Sequence, residues 1–224
     1  MDAQPETIIV GAVIDAISEQ RLPAGAKLGE QALSVLFNCN RANVRRALAA
    51  LEAKHVVELR PNRGAFVAAP SADEAREIFQ ARRAIERTIA RQAVKRIDAD
   101  GIARLKASIA AENLARSRRD KPAELRSSQN FHMLLAELAG NRVLQRFLAE
   151  LTMRSTLILG MYAREGHSCA HCDDHTGIVD ALIARDEALV LDLTDRHLRR
   201  LEAELDFERP VAVTVSLKDQ IFGS

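Results

Sequence analysis

The apolar periodicity of this chain changes character once, near Ala68-Ala69-Pro70-Ser71-Ala72, and that change constrains the fold more than any other feature. Beyond it, apolar residues recur at helical spacing to about Phe207. Before it come short elements and the one convincing pair of strand-like runs. Six helices are expected in the second part, at about 72–96, 99–118, 121–139, 142–163, 174–184 and 187–207, with Asp100-Gly101, Gly140-Asn141 and Asp186 as breaks. Aromatic residues are only 4% of the 224 and there is no Trp, against 47% hydrophobic residues in all. That balance suits packed helices rich in Ala, Leu, Arg and Glu better than a large sheet.

In the first part, Ile9, Val13, Ile14 and Ile17 mark one helix, and Leu22-Pro23-Ala24-Gly25 ends it in a loop. A short helix follows with Leu33 and Leu36 inward. Asn38-Cys39-Asn40 turns the chain, and Asn40 suits the N-cap of a helix whose buried stripe is Val44, Ala47, Leu48 and Leu51. Val56 to Arg60, a turn at Pro61-Asn62-Arg63-Gly64, and Ala65-Phe66-Val67 then read as a β-hairpin. Three helices and a hairpin wing define a winged helix-turn-helix. The expected fold is therefore mostly α: a winged helix-turn-helix DNA-binding domain over 1–70, an all-α helical bundle over 71–210, and an unassigned tail over 211–224.

Net charge is +1, which alone says nothing about partners. Between Asn40 and Gly64, however, Arg41, Arg45, Arg46, Lys54, Arg60 and Arg63 face only Glu52 and Glu58. A local basic patch on a neutral protein suits docking on phosphates, although composition alone favours a solvated charged face. The polar, acidic start is unlike a signal peptide, and no apolar run approaches a membrane span. Three Cys is an odd count for a disulfide framework. The expectation is a reduced, cytoplasmic protein without a membrane partner.

A recognition helix presents its N-terminal residues to base edges in the major groove. Arg41 and Arg45 lie one turn apart on one face of the third helix, and their planar forks suit guanine or phosphate. Asn43 stands between them. At the hairpin tip, Arg63 offers a cation and Gly64 a close backbone approach. Arg41, Asn43, Arg45, Arg63 and Gly64 form the expected DNA-binding set. The run from Leu22 to Glu30, Leu33, the run Asn40-Arg41-Ala42-Asn43-Val44-Arg45-Arg46-Ala47-Leu48, Leu51-Glu52 and Arg63-Gly64-Ala65-Phe66-Val67 resemble the N-terminal domain of the GntR family. The resemblance covers about residues 8–68 and implies a double-stranded DNA operator bound by a homodimer. Asn40 stands where the family usually has Ser or Thr, Asn43 where it has Pro and Arg46 where it has Glu. Gln31 takes a place where some members use Arg on DNA.

In the second part three histidines fall on apolar stripes: His132 with Leu125, Leu135, Ala136 and Ala139; His175 with Ile178, Val179 and Leu182; His197 with Val190, Leu193 and Leu201. One such His is usually a satisfied core residue; three on separate helices raise the prospect of convergence. His175 and His197 flank the break at Arg185-Asp186 almost evenly. At about 1.5 Å rise per residue the chain climbs roughly 14 Å and returns about as far, bringing the two imidazoles to one level. Imidazole suits Zn, Ni, Cu or Fe. Arg82 lies within the stripe Ile78, Ile85, Ile89, and an inward cation needs a partner: Glu86 one turn on, or the carboxylate of an effector.

The stretches Ala81-Arg82-Arg83-Ala84-Ile85-Glu86, Phe131-His132, Ala139-Gly140-Asn141, His175, Ile178, Ala181, Asp186 and His197 resemble the FCD ligand-binding domain of the FadR branch of that family, over about residues 74–207. The resemblance implies His132, His175 and His197 as metal ligands and Arg82 as a contact for a small organic acid effector. The family's fourth ligand, an Asp one turn before the first His, is Ser128 here. Three neutral His can still hold a divalent ion such as Zn or Ni, more weakly, with water or effector completing the shell. Cys169, His171 and Cys172 have no second Cys pair, and the segment from His167 reads as a loop with Asp173 or Asp174 capping the next helix.

Together these readings describe a transcriptional regulator, a repressor by expectation, controlled by a carboxylate effector. Two alternatives stand beside it. One is a metal-dependent hydrolase using the three-His site, against which no carboxylate lies one turn from His132. The other is a DNA binder with a degenerate sensor.

Overall fold

A computed structural model describes residues 4–163, 172–208 and 217–222. Pro5 opens α1 (Pro5–Ser18), where a missing backbone N–H costs nothing. A two-residue strand, β1 (Lys27–Leu28), precedes α2 (Glu30–Leu36). Asn38 turns the chain at φ 45°, and the Asn40 side chain accepts from Asn43 N–H at 2.9 Å to cap α3 (Arg41–Glu52). The hairpin follows as β2 (Val57–Arg60) and β3 (Gly64–Val67). Arg60 and Gly64 face each other across its tip, and Gly64 at φ 94° supplies a conformation that a side chain would strain. The sheet has three strands, in order β1-β3-β2, rather than the bare hairpin expected: Leu28 pairs with Ala65.

The chain divides into two units. The first comprises, among described residues, 4–71, 156–162, 207–208 and 217–222. Its core is Ile9, Val13 and Ile17 of α1, Leu33 of α2, Val44, Leu48 and Leu51 of α3, and Leu28 and Val67 of the sheet, all nearly or fully buried. Each contributes roughly 1.5–3 kcal/mol of transfer free energy on leaving water. Part of the tail left unassigned from sequence is a helix of this unit, α10 (Leu217–Phe222). Ile221 is buried, Arg21 Nη1 donates to the Gln220 carbonyl at 2.6 Å and to the Ile221 carbonyl, and Phe222 meets Phe37.

The second unit holds α4 (Ala72–Arg96), α5 (Ala99–Ser117), α6 (Lys121–Leu138), most of α7 (Arg142–Tyr162), α8 (Cys172–Ile183) and α9 (Glu187–Ala203). Asp98, Asp120 and Asp186 cap α5, α6 and α9 by accepting from Gly101, Ala123 and Leu189 N–H. Ile89, Phe131, Leu135, Leu148, Ile178, Leu182 and Val190 form its core. Within it α5 packs on α6 and α8, and α9 packs on α4 and α8. Because α8 already begins at Cys172, Asp173 and Asp174 lie in its first turn and do not cap it. Cys169 and His171 lie outside the described residues. No described helix is long and apolar enough to cross a membrane.

Candidate functional site

The helix packing of the second unit brings one histidine from each of α6, α8 and α9 together. Their ligand atoms lie within 4.8 Å of one another, and all three rings are buried. Phe131 stacks on His175 at 4.1 Å between ring centroids and fixes its plane. Each Nδ1 meets its own carboxylate: His132 meets Glu86 of α4 at 2.7 Å, His175 meets Glu112 of α5 at 2.9 Å, and His197 meets Asp174 of α8 at 3.4 Å. An Nδ1–H donated to a carboxylate leaves a lone pair on Nε2. Nε2 of His132 and Nε2 of His197 are 3.2 Å apart, and Nε2 of His175 is buried with no hydrogen-bond partner among the described residues.

Two inward lone pairs at that separation repel in a dry interior unless a cation lies between them. The spacing also approaches the edge of a tetrahedron with bonds of about 2.0–2.1 Å, roughly 3.3 Å. Carboxylates behind imidazoles are the usual outer shell of a metal site, since they fix the tautomer and raise ligand basicity. The donor set therefore fits a divalent ion of the zinc or nickel kind. Ser128, one turn before His132 on α6, is half-buried and brings no charge to this shell.

Burial pushes His132 below the ordinary imidazole value, although Glu86 opposes the shift. Burial likewise pushes His197 down to about 3, against the hydrogen bond it donates to Asp174. Both rings are thus neutral and available as ligands at neutral pH. Glu86 responds in the opposite sense: burial alone would raise it, but His132 and Arg82 hold it well below the carboxylate range. It bridges the two, with Oε2 on His132 and Oε1 accepting from Arg82 Nε at 2.6 Å. Arg82 is itself buried, and its two Nη groups meet no hydrogen-bond partner among the described residues. Glu86 is therefore a partner of Arg82, and the outer edge of the guanidinium is still available to an anion.

In the first unit Arg41 and Arg45 of α3 are exposed and lean on α2. Arg45 Nε donates to the Glu30 carboxylate at 2.9 Å, and Arg41 Nε donates to Gln31 Oε1 at 3.0 Å. The amide oxygen of Asn43 accepts from Arg46, whose Nε reaches Glu6 at 3.1 Å. The positive charge at Arg46 is thereby met from α1. At the wing, the Phe66 ring lies under Arg60 at 4.5 Å, Arg63 at 5.9 Å and Lys27 at 6.0 Å. A cation cluster over an aromatic face is a fixed basic tip.

Sequence reasoning found the three histidines and Arg82 but missed Glu112 and Asp174. The signal for Glu112 was available, since it falls on the apolar stripe of Leu105 and Ile109.

A winged helix in one unit and a buried histidine and arginine centre in the other define a ligand-responsive DNA-binding regulator. Residues 6–67 match the bacterial regulatory proteins of the gntR family, and residues 77–200 match the FCD domain. The chain belongs to the GntR family and carries its FCD domain. It is 30% identical over 195 residues to the uncharacterised HTH-type transcriptional regulator BphR of Paraburkholderia xenovorans strain LB400, covering 81% of this chain and 77% of that one. It is 31% identical over 194 residues to the HTH-type transcriptional repressor NanR of Salmonella newport strain SL254, covering 76% and 71%. The fold is that of E. coli McbR/YncC, with a TM-score of 0.80 at 18% identity over 89% of this chain and 95% of that one. The protein is a sequence-specific DNA-binding transcriptional regulator and not an enzyme. The hydrolase alternative finds no support among these relatives, which are regulators.

Proposed function

We propose that this chain is a cytoplasmic, homodimeric repressor that leaves its operator when a small organic acid enters the histidine centre. Arg41, Asn43 and Arg45 of α3 and Arg63 and Gly64 of the wing read one half-site, and a second copy reads the other, since a two-fold dimer matches a pseudo-palindromic operator. In this reading residues 1–70 are the reader and 71–210 the sensor.

The observation that carries the sensor reading is the triple pairing of Nδ1 with carboxylates, in three histidines whose ligand atoms lie within 4.8 Å of one another. His132, His175 and His197 would hold a divalent ion, zinc or nickel. When bound, that ion supplies an open Lewis-acid position for a carboxylate oxygen. Arg82, held by Glu86 through Nε, presents its Nη pair to the same carboxylate, and charge-assisted pairing of that kind is strong away from water. Ser128 lowers the affinity for the ion because it contributes no anionic ligand. An acid bound preferentially in one arrangement of the dimer shifts the population toward it.

The test is fluorescence anisotropy on an operator selected from a randomised duplex pool. Small organic acids should release the zinc-loaded protein, and Arg82→Ala should be released only at much higher acid concentration. Arg41→Ala and Arg45→Ala should each bind the operator about 1–3 kcal/mol more weakly. Wild-type protein that stays bound across a broad set of acids, with and without metal, would remove the effector reading.

A further inference from the structure

Helix α10 belongs to the reader by packing and to the sensor by chain. Residues 204–216 join it to α9, which carries His197 and lies in the second unit, whereas α10 packs on α1 in the first. Its docking rests on three contacts at its C-terminal end. Ile221 is buried. Arg21 Nη1 donates to the Gln220 carbonyl at 2.6 Å and to the Ile221 carbonyl, which sets a cation on the negative end of the helix. Phe222 is half-exposed, and its ring lies 5.5 Å from that of Phe37. Phe37 is the C-cap of α2 and opens the turn Phe37-Asn38-Cys39-Asn40 that leads into α3. At the other end of α10, Leu217 and Lys218 line an apolar cleft together with Ala32, Val35 and Leu36 of α2.

A helix of six residues is too short to persist in water alone, so the folding and docking of α10 are one event with two states. Docked, Phe222 supports the turn that sets α2 against α3. Undocked, that turn is less fixed, and ordering it becomes a cost of binding DNA. We propose that α10 is a latch on the reader: its docked state is the operator-binding state, and its release lowers operator affinity. Because α10 is strung from α9, an acid bound beside His197 has a covalent handle on the latch. That sensor step rests on the effector reading given above; the latch on the reader does not.

The experiment uses the full-length protein, followed by anisotropy on its pool-selected operator and by hydrogen exchange of the amides of 217–222. Ile221→Asp puts a charge in a buried position and prevents docking. Phe222→Ala removes the contact with Phe37 from a half-exposed position and stands in should Ile221→Asp fail to fold, which circular dichroism establishes. Ile221→Asp should bind the operator about tenfold more weakly and Phe222→Ala about threefold. Coupling between two equilibria is reciprocal, so the operator should slow exchange of the wild-type α10 amides by the same factor, about tenfold. A contact that only stabilises the fold leaves local release of α10 indifferent to DNA. Wild-type or tighter operator binding by the folded variants, or α10 exchange unaltered by operator, would overturn the latch. An acid that releases the zinc-loaded wild type should also speed α10 exchange in the DNA-free protein, and unchanged exchange with such an acid would overturn the link to α9. A wild type that no acid releases would remove the effector reading and with it the sensor step, while the first two measurements still decide the latch.

Discussion

Glu86→Gln is the substitution on which the sensor account can be most sharply judged. Glu86 is 1% exposed and is shared: Oε1 takes Arg82 Nε at 2.6 Å and Oε2 takes His132 Nδ1 at 2.7 Å. Glutamine has nearly the same shape but removes the charge and offers only one acceptor. One donor, on Arg82 or on His132, must then face an NH2 group. The larger loss is electrostatic, because Arg82 becomes a buried cation with no counter-ion. Breaking a buried pair from one side typically costs about 3–5 kcal/mol, and the retained amide acceptor favours the lower end, about 3 kcal/mol. For a chain of this size that corresponds to a fall of roughly 6–12 °C in the melting of the sensor unit, followed by calorimetry on metal-free protein. Zinc affinity, measured by competition with a chromogenic chelator, should fall about 10- to 100-fold because His132 loses the group that fixes its tautomer. A small carboxylate, by restoring an anion beside Arg82, should raise the melting temperature of the variant more than that of the wild type. Wild-type melting and wild-type zinc affinity together would refute this reasoning.

The neutral, buried histidines predict a pH dependence whose sign is fixed. The unfolded chain takes up protons as pH falls through about 6.5, while folded His197 stays neutral until about 3. Stability is therefore full above 6.5 and lost as the medium acidifies. Between pH 7 and 5, His197 alone should cost the metal-free protein about 2 kcal/mol, with a further loss from His132, whose shift has the same direction. Urea midpoints at the two pH values check this, and a flat profile would contradict it. Ser128→Asp should restore an anionic ligand one turn from His132 and tighten zinc binding by tenfold or more in the same chelator competition.

The sequence carried the winged helix and the histidine centre for different reasons. The reader was legible because its signals are local: Asn40 before Arg41, the Pro61-Asn62-Arg63-Gly64 turn, and apolar spacing within α1 and α3. What escaped is non-local. Strand β1 is only Lys27 and Leu28, too short for any alternation, and exists because β3 offers it an edge. Helix α10 has no period of its own and depends on Arg21 and on burial of Ile221. In the sensor, apolar stripes pointed His132, His175 and His197 inward, and Glu86 was visible as a neighbour of Arg82 one turn on. That its second oxygen serves His132 follows only from packing α4 against α6. Glu112 and Asp174 are joined to their histidines across helices, α5 to α8 and α8 to α9, by no fixed spacing. Asp174 even adjoins His175 in the chain while serving His197.

The central claim, a divalent ion on three carboxylate-backed imidazoles, is tested most directly by isothermal titration of zinc into chelator-stripped protein. The account predicts one ion per chain for the wild type. It predicts loss of that heat in His132→Ala, His175→Ala and His197→Ala, each shown to be folded. No zinc uptake by the folded wild-type protein, or one equivalent bound undiminished by all three variants, would contradict it.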